Sequence, residues 1–341
     1  MLRLRTWYES RLGRNDGNPL YVTACLKRMQ FYSEVASGRQ PSQELFDRWF
    51  ADGKHDPNAE AAAKKLWDEQ KEVLEIDHFY PNGDISPFGS YDGNIWVDWG
   101  EDALTGFLPY VPLNPPKPLI YWASDTHINN GQQGDSYPYR LEMARKADVV
   151  FCAQKAGAEK MKADGIENPI WLPHAYEPQA YPKVNTLTKR YDVCFVGHVN
   201  NARREEALNR LFSEFPNFYY GQQLFEKAAE KFSESKVVFN ISMTDDVNMR
   251  NFEVCGTGSL LLTNWLPTIE ELGFKDGENC VFYRTLDEMV EKAKFYIEHD
   301  EEREKIAAAG YEFVSKYHTI QNRVDVMLSE INKKRLVAEA I

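Results

Sequence analysis

The stretch "TDDVNMRNFEVCGTGSLLLTN", Thr244 to Asn264, decides how the chain is read. Acids, an arginine and another acid sit at near-helical spacing, and the chain then breaks on glycines and becomes apolar. With a helix starting near Asp246, residues Asp246, Arg250 and Glu253 fall at i, i+4 and i+7 and line one face. An ordinary solvated face with an Asp246–Arg250 ion pair accounts for the same charges. The flanks argue for more: "VVFNIS" before and "SLLLTN" after are apolar enough for interior strands. The helix start then projects from the carboxyl edge of a sheet, where ligands gather and where free backbone N–H groups favour phosphate. Gly256 and Gly258 permit a tight turn and close packing onto the next strand.

Outward from this unit the alternation continues. "YDVCFVG" reads as a strand feeding the helix "NNARREEALNRLFSEF", and "NFYYG", "KVVFNIS", "SLLLTN" and "CVFYR" read as further strands between helices. In the other direction "NIWVDWG", "PLIYWASD", "ADVVFCAQ" and "PIWLPHA" each end an apolar run on polar or small residues. The pattern predicts an α/β protein of two Rossmann-like domains, each a parallel sheet covered by helices, facing across a cleft. The N-terminal domain is expected over 1–178, with a helical insertion at about 42–74, and the C-terminal domain over 189–318. Residues 319–341 form a last helix able to cross back to the N-terminal domain. The proline-bearing segment "HAYEPQAYPKVNTLTKR" separates the halves.

Bulk properties exclude several classes. A chain of 341 residues exceeds what one core usually organises, and 43% apolar with 13% aromatic residues argues against disorder. A net charge of -12 without a long basic run disfavours nucleic acid as the main partner. No apolar run is long enough to span a bilayer and the N-terminus lacks a secretion-signal core, so a cytoplasmic protein is expected. Five scattered cysteines, Cys25, Cys152, Cys194, Cys255 and Cys280, have no zinc or disulfide spacing and read as small buried hydrophobes.

"NMRNFEVCGTGSLLLTNW" and "YDVCFVGHVNNARREEAL" resemble the donor domain of GT-B glycosyltransferases, specifically the spore-maturation-protein-like (CgeB-type) branch allied to retaining family 4. "KPLIYWASDTH" and "KADVVFCAQKAGAEKMKADGIENPIWLPHAYEP" are similar to the same branch, so the resemblance covers roughly Pro116 to Tyr317. It implies transfer of a sugar from a nucleoside diphosphate, UDP or GDP foremost, to an acceptor hydroxyl, with retention and with neither a metal nor another cofactor required. The acceptor stays open among a glycan, a small molecule, a protein and a modified DNA base. Rival readings are a glycosyltransferase of hydroxylated DNA bases, a sugar-nucleotide epimerase and a non-catalytic nucleotide-sugar-binding protein.

The resemblance also implies roles for residues. Relatives carry two glutamates eight positions apart, which puts Glu253 on the ribose and leaves Asp245 at the sugar-contacting position, one methylene short, with Asp246 able to substitute. It gives His127, at the end of "WASDTH", an approach to the donor sugar, and Asp125 lies two residues before it. Other candidates rest on the residues themselves. Arg250 can pair bidentately with phosphate oxygens. Gly197 allows close backbone approach at a strand end, and Arg203 and Arg204 sit in the first helical turn beyond it, where a leaving diphosphate needs positive charge. His198 in that loop, Gln222 near the nucleobase position and Asn248 before the helix complete the donor-side set. On the acceptor side stand Asp98 and the glycine loop with Gly13, Arg14, Asp16 and Gly17; a capped helix start explains Asp98 better than an acceptor role does, and a plain turn explains the loop nearly as well.

Overall fold

The computed structural model describes residues 1–7, 18–50, 55–79, 91–98, 115, 117–124, 126, 137–184, 188–199, 201–242, 244 and 246–339. The chain divides into two compact units, Met1–Pro173 with Ile320–Ile341, and His174–Thr319.

The first unit runs β1 (Leu2–Trp7), α1 (Asn18–Ala36), α2 (Gln43–Trp49), α3 (Pro57–Gln70), β2 (Leu74–Phe79), β3 (Gly93–Val97), β4 (Leu119–Ala123), α4 (Tyr137–Lys146), β5 (Val149–Cys152), α5 (Lys155–Ala163) and β6 (Ile170–Trp171). Its sheet has the order β2-β1-β3-β4-β5-β6 with every pair parallel. Every residue of β3, β4 and β5 is buried, as both-face coverage of a parallel sheet demands.

The helical insertion expected over 42–74 is corrected at its end, because Leu74 opens the edge strand β2. Asp56 caps α3, accepting from the N–H groups of Asn58 and Ala59, with Pro57 following as a favoured first helical residue. Lys71 then adopts a left-handed φ of 54° that ends the helix, and the chain enters the sheet.

The second unit runs β7 (Tyr191–Val196), α6 (Ala202–Glu214), β8 (Phe218–Gly221), α7 (Phe225–Ser233), β9 (Ser235–Asn240), α8 (Met249–Gly256), β10 (Leu261–Asn264), α9 (Pro267–Glu271), β11 (Val281–Tyr283), α10 (Leu286–Glu298) and α11 (Asp300–Tyr317). The sheet order is β11-β10-β9-β7-β8, again all parallel. Leu208 and Leu211 of α6, Met289 and Ala293 of α10 and Ile306 of α11 pack against Val193, Phe195, Phe239 and Leu262 of the strands. Each such large apolar side chain contributes about 1.5–3 kcal/mol by leaving water.

The chain then returns to the first unit through α12 (Ile320–Glu339). Arg335 meets both carboxylate oxygens of Glu72 at 3.0 Å, and Arg323 Nε donates to the Pro173 carbonyl at 2.7 Å. Ile331 lies so close to Gly93 that a Cβ there would stand 2.9 Å from its Cδ1. Among the described residues no helix is long and apolar enough to cross a membrane.

All five cysteines are free and buried. Burial pushes the Cys152 and Cys194 thiols up to about 12. Native protein is therefore expected to leave Ellman's reagent unreacted at neutral pH, with all five thiols titrating once denaturant is added. Rapid release from the folded chain would contradict this burial.

Candidate functional site

The site is built on α8 and the strands that bracket it. The helix begins at Met249 with Asn248 as its N-cap residue, not near Asp246 as the periodicity predicts. Local bonds explain the delay. Thr244 Oγ1 donates to Asp246 Oδ1 at 2.6 Å, the Asp246 N–H donates to the Thr244 carbonyl at 2.8 Å, and Ser242 Oγ donates to the Asp246 carbonyl at 2.6 Å. Short polar side chains that satisfy the backbone in this way compete with helix formation.

Asp246 therefore leaves the helical face assigned to it, and the expected Asp246–Arg250 pair is replaced. Arg250 Nη1 meets Glu253 Oε2 at 3.0 Å, one turn on. Glu253 is only 4% exposed. The guanidinium also lies 5.2 Å from the Phe232 ring centroid. Tyr181, from the segment before β7, lies near enough to both charges to interact with them electrostatically. Burial opposes the charge on Arg250, but Glu253 and then Tyr181 outweigh it, so the guanidinium is held more firmly protonated than usual. Burial raises the Tyr181 phenol, and the Glu253 carboxylate raises it further. A buried carboxylate beside a half-buried guanidinium can accept hydroxyls and grip an oxyanion.

Polar side chains invisible to periodicity fix the helix in place. Asn240, at the end of β9, sets its Nδ2 at 3.2 Å from Asn248 Oδ1, 3.0 Å from Asn251 Oδ1 and 3.2 Å from Thr263 Oγ1. Asn248, expected at the donor, thus faces this internal network. The far end of α8 closes in a Schellman arrangement, with Gly258 at φ +75°, its N–H on the Cys255 carbonyl and the Ser259 N–H on the Val254 carbonyl. A Cβ on Gly256 would stand 2.4 Å from the Tyr176 ring, so glycine alone fits there.

The loop after β7 divides its two arginines. Arg204 is buried, donating to the carbonyls of His198 at 2.7 Å and Ile241 at 2.8 Å, with its guanidinium carbon 5.4 Å from the Phe195 ring centroid. It braces the ends of β7 and β9. Burial, followed by the charge of Arg250, lowers its pKa. Arg203 is exposed and lines a cavity described below. His198 is exposed, Gly197 donates its N–H to the Gly221 carbonyl at 2.9 Å, and exposed Gln222 donates to the Tyr220 hydroxyl at 3.1 Å.

In the first unit Asp98 is 4% exposed, and its carboxylate accepts from Tyr121 Oη and from the Ser124 N–H and lies 3.3 Å from Arg140 Nε. Rather than an outward-facing acid, it is the centre of a buried polar group. Gly13, Arg14, Asp16, Gly17, Asp125, His127 and Asp245 lie outside the described residues.

Residues 184–329 match the family described as glycosyl transferase-like. The chain has the GT-B fold. Its fold is shared along the whole chain with known structures. The Anabaena Alr3699/HepE structure in complex with UDP-glucose matches at 12% identity and a TM-score of 0.56, covering 97% of this chain and 100% of that one. Sucrose-phosphate synthase from Thermosynechococcus elongatus matches at 10% identity and 0.58, covering 99% and 100%. A mutant form of S. aureus TarM, in complex with fondaparinux, alpha-GlcNAc-glycerol and UDP, matches at 11% and 0.51, covering 71% and 56%. No curated protein matches the chain by sequence.

Proposed function

We propose that this GT-B enzyme moves a hexose from a uridine diphosphate donor to an acceptor hydroxyl, with retention at the anomeric carbon and without a metal, in the spore-maturation-protein-like branch. The observation that carries the proposal is the Arg250–Glu253 ion pair on α8, inside a glycosyl transferase-like segment, with the buried Tyr181 beside it. UDP is preferred because structurally similar HepE is seen with UDP-glucose.

In this reading the Glu253 carboxylate accepts from the two ribose hydroxyls, while Arg250 and the first N–H groups of α8 face the diphosphate. The bond from the anomeric carbon to the diphosphate oxygen breaks as the bond to the acceptor oxygen forms. The acceptor proton passes to the leaving diphosphate. Negative charge grows on the leaving group along this path, so preorganised positive groups lower the barrier more than they favour the ground state. His127 and Asp245 keep their proposed places toward the donor sugar.

A thermal-shift panel of UDP-, GDP-, ADP- and dTDP-sugars tests the donor, since a ligand that binds the folded form raises apparent stability. The UDP-hexose is expected to give the largest shift. An equal response to all four, or none, would sink the assignment.

A further inference from the structure

The cavity in the second unit that the donor proposal does not use has a volume of about 400 Å³. It opens at the carboxyl ends of β10 and β11, against the starts of α6 and α10, and is lined by Arg203, Glu206, Asn264, Trp265, Arg284 and their apolar neighbours Ile241 and Leu286. That volume falls within the range of small-ligand sites.

Asn264 decides its chemistry. The residue is 3% exposed, and its Oδ1 accepts the Ser242 N–H at 2.9 Å. That bond fixes which way the amide faces, so Nδ2 is the atom left over, and it is buried with no hydrogen-bond partner. A buried amide donor without an acceptor is costly, and a ligand oxygen would relieve the cost. Two cations stand on the same wall. Arg284 lies over Trp265, its guanidinium carbon 3.9 Å from the ring centroid, a contact that holds the fork without using up its N–H groups on a carboxylate. Arg203 reaches the cavity from the first turn of α6. One amide donor and two guanidinium forks suit a phosphate, while Glu206 is an acceptor that repels a second anion and favours hydroxyl groups.

We propose that this cavity binds a phosphate monoester carrying hydroxyl groups, of the sugar-phosphate class, at a site separate from the donor. The phosphate sits on Asn264 Nδ2, Arg284 and Arg203, and a hydroxyl donates to Glu206.

Calorimetry on the full chain with glucose 6-phosphate, inorganic phosphate, glucuronate and glucose as probes tests this. Glucose 6-phosphate is expected to bind at least about tenfold more tightly than the other three. Arg284→Ala, an exposed position, should weaken it about tenfold or more, as loss of charge-assisted hydrogen bonds does. Asn264→Asp retains the acceptor for Ser242 but turns a carboxylate oxygen toward the phosphate, and should abolish binding. UDP-glucose affinity should be unchanged in both variants. No binding of the ester, equal binding by wild type and Arg284→Ala, or equal affinity for phosphate or glucuronate would overturn the proposal. Competition between glucose 6-phosphate and UDP-glucose would place the cavity within the donor site and overturn it as well. Failure of UDP-glucose to bind while the ester binds would instead count against the donor reading alone.

Discussion

Glu253→Gln is expected to lower kcat/KM by about a hundredfold or more while leaving the protein folded. The change keeps the shape of a side chain that is almost wholly enclosed but removes its charge, which in the proposed role accepts from both ribose hydroxyls. Glutamine supplies one acceptor where the carboxylate supplies two, and its amide N–H groups face the guanidinium of Arg250. Glu253→Ala is a different experiment. It removes the 3.0 Å partner of the half-buried Arg250, and the loss of that pair lowers stability as well as activity. Steady-state kinetics with varied donor, together with urea denaturation of both variants, separate the two effects. Wild-type kcat/KM in the glutamine variant would remove Glu253 from the reaction.

The largest loss of stability is expected in the first unit, from Asp98→Ala. Asp98 sits at the end of β3, and its carboxylate neutralises Arg140 at 3.3 Å while accepting from Tyr121 and from the Ser124 backbone. Arg140 is 1% exposed, so truncation takes a carboxylate from beside a cation that water cannot reach. Removing one partner of a buried pair costs about 3–5 kcal/mol, a large share of the stability of an ordinary domain. Asp98→Asn, which retains the acceptor for the Ser124 N–H, should cost less. Equal urea midpoints for wild type and Asp98→Ala would show that the network contributes nothing. The outcome also bears on function, since a residue that only holds β3 to β4 and α4 should change stability without altering kinetics in the folded fraction.

The alternation of apolar runs with amphipathic segments was enough to read both parallel sheets, because buried parallel strands are near-continuous apolar runs and their crossovers carry a helical period. "YDVCF", "KVVFN" and "LLTN" each became the strand expected of them. Strand β2 was harder to see. "LEIDHF" alternates polar and apolar residues beside a charged helical segment, and in this edge strand Glu75 and Asp77 are only partly buried.

Within the site, Arg250 and Glu253 were visible as charges bracketed by interior strands. Their pairing was not, because an i,i+4 partner and an i,i+3 partner are equivalent on paper until the helix start is known. Thr244 and Asp246 set that start by turning on themselves, a choice that depends on Ser242 lying beneath them. Tyr181 gave no signal. It lies far from α8 in the chain, and nothing local distinguishes it from any other tyrosine in a polar connection.

The sequence by itself determined the layers: which segments are strands, which are helices, and that the glycines after α8 must turn sharply, since these follow from periodicity and from backbone sterics that act over a few residues. Only the tertiary structure decided which charge meets which. Asp98 with Arg140, Arg204 with two carbonyls, and the unpaired Asn264 amide all depend on side chains from different elements arriving at one place. In a low-dielectric interior each such meeting is worth more than any local preference, and sequence spacing does not encode it.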